Sequence, residues 1–192
     1  MGKIIAVANQ KGGVGKTTTT VNLGASLGSL GKKTLVIDAD PQGNSTSGLG
    51  IDKNAQENTI YSVLIDKIPL KDCIVETEFK NISVCPCNMD LLGAELLIDK
   101  EEEKEYILKK AVAEIKDEYD FILIDCPPSL GILTVNALVA ADSVIVPMQC
   151  EYYSMEGLSQ LLSTIKTCKR LYNPTLELCG ILITMYNGRL NL

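Results

Sequence analysis

The sequence predicts one α/β domain, with a mostly parallel central sheet flanked by helices on both faces. Three observations predict it. Short apolar runs recur along the chain at Lys3–Asn9, Lys33–Asp38, Tyr119–Asp125, Ser143–Pro147 and Leu178–Thr184. Helix-length segments with an apolar stripe stand between most of them. A glycine-rich turn joins the first apolar run to the first such segment. A strand that is apolar throughout is buried on both faces, and parallel strands need crossover helices to cover those faces.

Taken in order, Lys3–Asn9 reads as a buried strand ending at the Gly-rich turn. Lys16–Leu30 reads as a helix, its apolar positions Val21, Leu23, Ala25, Leu27 and Leu30, with Gly31 as its stop. Lys33–Asp38 is the second strand. Residues 39–60 are rich in Gly, Asn, Ser, Pro and Asp and read as a loop with room for a short helix. From 60 to 100 the pattern is weakest, with Asn81–Cys85 as a strand and Leu91–Ile98 as a short helix. The charge cluster KEEEKE reads as a solvated helix face. Behind it, Ile107, Leu108, Ala111, Val112 and Ile115 form a buried stripe. Tyr119–Asp125 is a third clear strand, broken by Pro127-Pro128. A helix over 132–141, the strand Ser143–Pro147, a helix near 155–172 and the strand Leu178–Thr184 complete the series. No repeat or linker divides it, so a single domain is expected over 1–192.

Composition fits a folded soluble protein: 46% hydrophobic and 22% charged residues exclude disorder. Trp is absent and aromatics are few, so the core is expected to be aliphatic. No signal-peptide pattern opens the chain and no apolar run spans a membrane, so a cytoplasmic location is expected. The seven cysteines are odd in number and irregularly spaced, and read as reduced thiols packed as small hydrophobes. A metal cluster bridging two subunits is the alternative. A net charge of −6 argues against a nucleic-acid surface spread over the whole chain.

The turn QKGGVGKTT, residues 10–18, carries the chemistry. A phosphate loop reads G-x-x-x-x-G-K-[ST] between a strand and a helix. Gly15-Lys16-Thr17 supplies its end in that context, while Gln10 replaces the first glycine and Lys11 is added. Gly12, Gly13 and Gly15, with Val14 between them, let backbone N–H groups face phosphate oxygens. The helix starting near Lys16 turns its positive end to the same anion. Lys16 is expected to reach the β- and γ-phosphates of ATP, Thr17 to bind Mg²⁺, and Thr18 to lie near the α-phosphate. Asp38 and Asp40 follow one apolar strand and Asp125 ends another, where ligands bind in open α/β sheets.

These motifs do not stand alone. KGGVGKTT, VIDADPQGN (36–44), YDFILIDCPPSLG (119–131) and VPMQCEYYSMEGLSQL (146–161) resemble the ParA/Soj family of chromosome- and plasmid-partitioning ATPases. That family belongs to the deviant Walker A group of P-loop NTPases, with MinD and the nitrogenase iron protein. The resemblance implies ATP and Mg²⁺ as cofactors and an ATP-dependent homodimer. Lys11 would be the signature lysine, reaching across the dimer to the partner's phosphates. Lys16 and Thr17 would be the P-loop pair. Asp40 would position or activate the attacking water, Asp38 would support the metal site, and Asp125 would hold Mg²⁺ through water. Pro127–Gly131 would be the switch that senses the γ-phosphate, and Asn187 would contact adenine. The resemblance also implies non-specific DNA binding, stimulation of hydrolysis by a ParB-type partner, and a place on the nucleoid. Family members carry further strands and helices beyond this point, so the chain reads as C-terminally shortened. Arg189 is the remaining candidate for the DNA surface, with Lys166, Lys169 and Arg170 as weaker ones.

Other classes fit less well. A MinD-like membrane regulator calls for a C-terminal amphipathic helix, and none is legible in these 192 residues. An electron-transfer ATPase needs paired cluster thiolates, and Cys126 is the one cysteine near the switch. A ligase resembling dethiobiotin synthetase would not use Lys11.

Overall fold

The computed structural model describes residues 2–150 and 154–186. Seven strands form one sheet: β1 (Lys3–Val7), β2 (Thr34–Asp38), β3 (Val75–Glu76), β4 (Ile82–Cys85), β5 (Phe121–Asp125), β6 (Ser143–Gln149) and β7 (Glu177–Thr184). Their order across the sheet is β3-β4-β2-β5-β1-β6-β7. Every neighbouring pair is parallel except β3 with β4. The expected α/β class with a mostly parallel sheet is therefore observed. β1 and β2 are not neighbours, because β5 inserts between them. Their carboxyl ends open together at that crossing, where crevices form in doubly wound sheets.

The helices are α1 (Lys16–Ser29), α2 (Asn44–Gly48), α3 (Ile60–Leu64), α4 (Ala94–Ile98), α5 (Ile107–Ala113), α6 (Ile132–Ala140) and α7 (Ser154–Leu171). The strands alternate between two cores. Ile4, Ala6, Leu35, Ile37, Ile122 and Ile124 face one, which α5, α6 and α7 cover with Leu108, Val112, Leu138 and Leu161. Ile5, Val36 and Leu123 face the other, under Val21, Leu23, Ala25 and Leu27 of α1. The period of two along each strand thus explains why continuous apolar runs are needed.

The region least legible in the sequence holds two unexpected elements. α3 begins with a capping box: Tyr61 N–H donates to Thr59 Oγ1, and Thr59 N–H donates to Ser62 Oγ. β3 is a two-residue antiparallel edge strand. The stripe on α5 is as expected, with Leu108, Val112 and Ile115 buried and Ile107 and Ala111 half-buried.

The buried face of α1 differs from the expected apolar one. Its buried residues are Lys16, Thr20, Gly24 and Gly28, at a spacing of four. Val21, Leu23, Ala25 and Leu27 flank that line half-buried, and Leu30 is 76% exposed. Small residues let the helix axis settle onto the sheet. A Cβ on Gly28 would lie 2.6 Å from the carbonyl oxygen of Lys80 and 2.8 Å from Ile82 Cγ1. Gly28→Ala sets two effects against each other. Helix propensity favours alanine by about 1 kcal/mol, whereas forced displacement of packed backbone costs about 1–3 kcal/mol. The expected net result is a lower denaturant midpoint; an unchanged or raised midpoint would contradict this close approach.

Candidate nucleotide-binding site

The turn between β1 and α1 is held as a cradle from outside. Val14 is 1% exposed and anchors the turn in the protein. Its carbonyl accepts a hydrogen bond from Thr184 Oγ1 at 2.8 Å, and the Gly13 carbonyl accepts from Gln149 Nε2 at 3.0 Å. Asn9 Oδ1 accepts from Lys11 N–H, while Asn9 Nδ2 donates to the Pro147 carbonyl. Carbonyls drawn toward β6 and β7 leave N–H groups available on the other side of the turn. Gly15 adopts φ 91°, a left-handed conformation that favours glycine, as the residue before α1.

A cavity of about 310 Å³ lies against this turn, lined by Gly12, Gly13, Gly15, Lys16, Thr17 and Thr18. Asp40, Gln42 and Asn44 after β2, Pro128 after β5 and Met185 after β7 complete its wall. Most of the expected loop residues are therefore brought together around one space at the carboxyl end of the sheet. Lys16 is 6% exposed, and its Nζ donates to the Lys11 carbonyl at 3.2 Å. Burial pulls its pKa below the usual lysine range, against the attraction of Asp125 and Asp40. Lys11 lies half-buried at the start of the turn.

Asp125 is the centre of a hydroxyl cluster. Its Oδ2 accepts from Thr17 Oγ1 at 2.8 Å and from Ser45 Oγ at 2.7 Å, and its Oδ1 accepts from Thr20 Oγ1 at 3.5 Å. Burial raises its pKa, and the Ser45 and Thr17 bonds pull it back. Ser45 was not among the residues expected from the sequence, nor were Gln149, Thr184 and Asn9. Hydroxyls and amides of this kind carry no periodic signal, and only the fold places them here.

Asp38 is aligned in register with Asp125 on the adjacent strand. Both of its oxygens are taken by its own loop. Oδ2 accepts from Thr46 N–H at 2.8 Å and Thr46 Oγ1 at 2.7 Å, and Oδ1 accepts from Asp40 N–H at 3.3 Å. Thr46 Oγ1 in turn accepts from Cys87 N–H at 2.9 Å. Asp38 thus ties α2 to the sheet one layer behind Thr17 and Asp125. Asp40 is 7% exposed and its Oδ1 accepts from Gln42 N–H at 2.9 Å.

Burial, together with the Asp125 charge, pushes Asp38 up to about 7. The folded chain then keeps a proton that the unfolded chain releases near pH 4, so proton binding is greater in the native state between those values. Stability is expected to fall as pH rises from about 4 to about 7, with Asp125 adding in the same direction. Thermal melts across that range should show the fall, and Asp38→Asn should flatten it. A slope equally steep in the variant would contradict the assignment.

The donor set also tests the fit to Mg²⁺. Thr17 and Ser45 hydroxyls converge with the Asp125 carboxylate, all hard oxygen donors. Among the described residues no three His, Cys, Asp or Glu side chains are grouped to hold a metal. Such a sparse set suits an ion shared with phosphate oxygens and water rather than an all-protein cage. Cys73, Cys85, Cys87, Cys126 and Cys168 are buried, Cys150 is half-buried and Cys179 is exposed. Burial raises the pKa of each of the five buried thiols. Asn187 and Arg189 lie outside the described residues. Lys166, Lys169 and Arg170 are exposed along α7, away from its buried face at Leu158, Leu161, Ile165 and Cys168.

A glycine-rich turn, a buried lysine followed by a half-buried threonine at a helix start, and an aspartate at the end of a neighbouring strand define a P-loop nucleotide fold. A family model described as an AAA domain matches residues 2–178. The chain is 53% identical over 192 residues to the sporulation initiation inhibitor protein Soj of Bacillus subtilis, covering all of this chain and 76% of that protein. It is 50% identical to the chromosome-partitioning ATPase Soj of Treponema pallidum, covering all of this chain and 75% of that one. The fold superposes with a TM-score of 0.95 on a Mycobacterium smegmatis structure described as cobyrinic acid a,c-diamide synthase with bound ATP analogue and magnesium. That structure is 42% identical, with 99% of this chain and 78% of the other covered. The chain belongs to the ParA/Soj family of partitioning ATPases. It spans about three quarters of the length of these relatives. No described helix is long and apolar enough to cross a membrane.

Proposed function

We propose that this protein is an ATP-driven partition switch. ATP and Mg²⁺ would enter the cavity at Gly12–Thr18, two chains would close face to face on ATP, and the dimer would bind DNA without sequence preference. A ParB-type partner would stimulate hydrolysis and release it. The observation that carries the reading is the convergence of Lys16, Thr17 and Asp40 on one cavity beside a Gly-rich turn, with Asp125 bonded to Thr17 just behind it. Thr17 and Asp125 would hold Mg²⁺, which supplies positive charge to the β- and γ-phosphates when bound. Lys16 neutralises the same oxygens from the protein side. Asp40, in the cavity wall, orients the attacking water and takes its proton.

Lys11 supplies the dependence on a second chain. It stands at the start of the turn, ahead of the glycines that line the cavity. Brought to the partner's phosphates, its cation would stabilise transition-state charge only in the dimer, as an arginine finger does. Lys11→Ala is expected to leave a monomer with ATP by light scattering; an ATP-dependent dimer of that variant would refute the role in trans.

The direct test of the whole reading is DNA retention with ATP, with ADP and without nucleotide, across a salt series. Retention should require ATP and fall steeply with salt, because phosphate contacts release counterions. The Mycobacterium smegmatis neighbour supports a second reading, an ATP-dependent amide-forming synthase. Turnover that requires a carboxylic-acid co-substrate and ignores DNA would favour it.

A further inference from the structure

The glycines that let the phosphate turn form do not fix which way its peptides face. Gly13 and Gly15 stand on either side of Val14 and hold φ of 73° and 91°. Glycine adopts such conformations without steric penalty, so the two peptides that flank Val14 are free to turn over. A Cβ on Gly13 would meet nothing within 4 Å, so side-chain packing does not hold that peptide either. A peptide turned over presents a carbonyl oxygen to an anion where an N–H is needed. The orientation has to come from outside the turn.

Two side chains at the carboxyl ends of β6 and β7 supply it. Gln149 and Thr184 are register partners in that parallel pair, so their side chains leave the same face of the sheet. It is the α1 face, against which Ile145 packs four residues earlier on β6. Gln149 Nε2 donates to the Gly13 carbonyl at 3.0 Å, and Thr184 Oγ1 donates to the Val14 carbonyl at 2.8 Å. In a trans peptide the carbonyl and the following N–H point in opposite directions. A Gly13 carbonyl fixed on Gln149 therefore turns the Val14 N–H away from β6. A Val14 carbonyl fixed on Thr184 turns the Gly15 N–H away from β7. The phosphate cavity is lined by Gly13 and Gly15, and by neither Gln149 nor Thr184.

We propose that Gln149 and Thr184 are positioning residues of the phosphate site: Gln149 aims the Val14 N–H at the phosphates, and Thr184 aims the Gly15 N–H. Each acts through one carbonyl that it holds on the outer side of the turn. Two donors are thereby preset, and binding does not have to pay for ordering them. The assignment rests on the turn's binding phosphate, as read above. Gln149 has one other contact, because its Nε2 also donates to Met185 Sδ at 2.8 Å, and Met185 lines the cavity. An effect routed through Met185 would not depend on the Gly13 carbonyl, so the test separates the two routes.

Calorimetry on the full chain, well below its melting midpoint, measures Kd for ATP with Mg²⁺ and for inorganic tripolyphosphate, which has the phosphates without the nucleoside. Thr184→Val removes the hydroxyl at nearly constant shape, Thr184→Ser keeps it, and Gln149→Met removes the amide donor. Thr184→Val and Gln149→Met should each weaken both ligands by about tenfold, as loss of one aimed hydrogen bond to a charged group does. Thr184→Ser should bind both nearly as the wild type does. Amide NMR of the labelled chain reads the aim itself. Tripolyphosphate should shift the Val14 and Gly15 amide resonances, with the Gly15 shift reduced in Thr184→Val and the Val14 shift reduced in Gln149→Met. Should Thr184→Val fail to fold, Gln149→Met tests the same claim at a half-buried position. A serine variant as weak as the valine one overturns the role of Thr184. A Gln149→Met variant that loses ATP but keeps tripolyphosphate acts through Met185 and overturns the role of Gln149. A wild type that binds neither ligand sinks the phosphate reading itself, whereas a wild type that binds both and is matched by the variants sinks the positioning role alone.

Discussion

Lys16→Ala is expected to abolish ATP turnover, lowering kcat/KM by about 10²–10³-fold or more, the range for losing one preorganised donor to transition-state charge. The residue is 6% exposed at the start of α1, where the helix N-terminus and its ammonium would act on the same phosphate oxygens. Its role is not confined to the bound state. Its charge faces the carboxylates of Asp125 and Asp40, and its Nζ donates to the Lys11 carbonyl. Removing it leaves two buried acids without their cation, so some loss of stability accompanies the loss of activity. Lys16→Gln separates the two effects, because it retains a donor for the Lys11 carbonyl while losing the charge. Turnover should remain near zero in both variants, although the glutamine variant should melt closer to wild type. Near-normal hydrolysis in either would remove Lys16 from the site.

Asp40→Ala is expected to do the opposite to the cycle. ATP binding should persist, hydrolysis should drop by about 10²–10⁴-fold as a general base is lost, and any ATP dimer should be trapped. The carboxylate is 7% exposed in the wall of the phosphate cavity but makes none of the hydrogen bonds of the Thr17–Ser45–Asp125 cluster. Its loss therefore leaves the Thr17 and Ser45 hydroxyls on Asp125 in place. One side effect is local: Gln42 N–H loses its acceptor. Asp40→Asn keeps that acceptor and removes the basicity, so it should match alanine in turnover and wild type in melting temperature. Hydrolysis at the wild-type rate in the asparagine variant would exclude Asp40 as the group that receives the proton.

What could be read from the sequence follows from how each feature is encoded. β1, β2 and β5 were legible because burial on both faces demands unbroken apolar runs. The phosphate turn is legible because its glycines, lysine and threonine form one contiguous pattern between a strand and a helix. The buried face of α1 was not, because it is built from Lys16, Thr20, Gly24 and Gly28, which carry no hydrophobic period. β3 and α3 were too short to show a pattern. Among the site residues, Asp125 and Thr17 are joined by a hydrogen bond, whereas Asp38 is committed to Thr46 and anchors α2. Ser45, Gln149 and Thr184 come from three distant segments, and only the strand order brings Ser45 to Asp125 and the other two to the turn.

The central claim is that residues 10–18 cradle the phosphates of ATP, with Thr17 and Asp125 facing Mg²⁺. A crystal structure of the chain with Mg²⁺ and a non-hydrolysable ATP analogue tests it most directly. The account predicts the β- and γ-phosphates against the N–H groups of Gly12–Thr17 and Lys16 Nζ. It also predicts the Thr17 hydroxyl released from its 2.8 Å bond to Asp125 and turned to the metal. A nucleotide seated elsewhere on the sheet, or Thr17 still donating to Asp125 with the analogue bound, would contradict it.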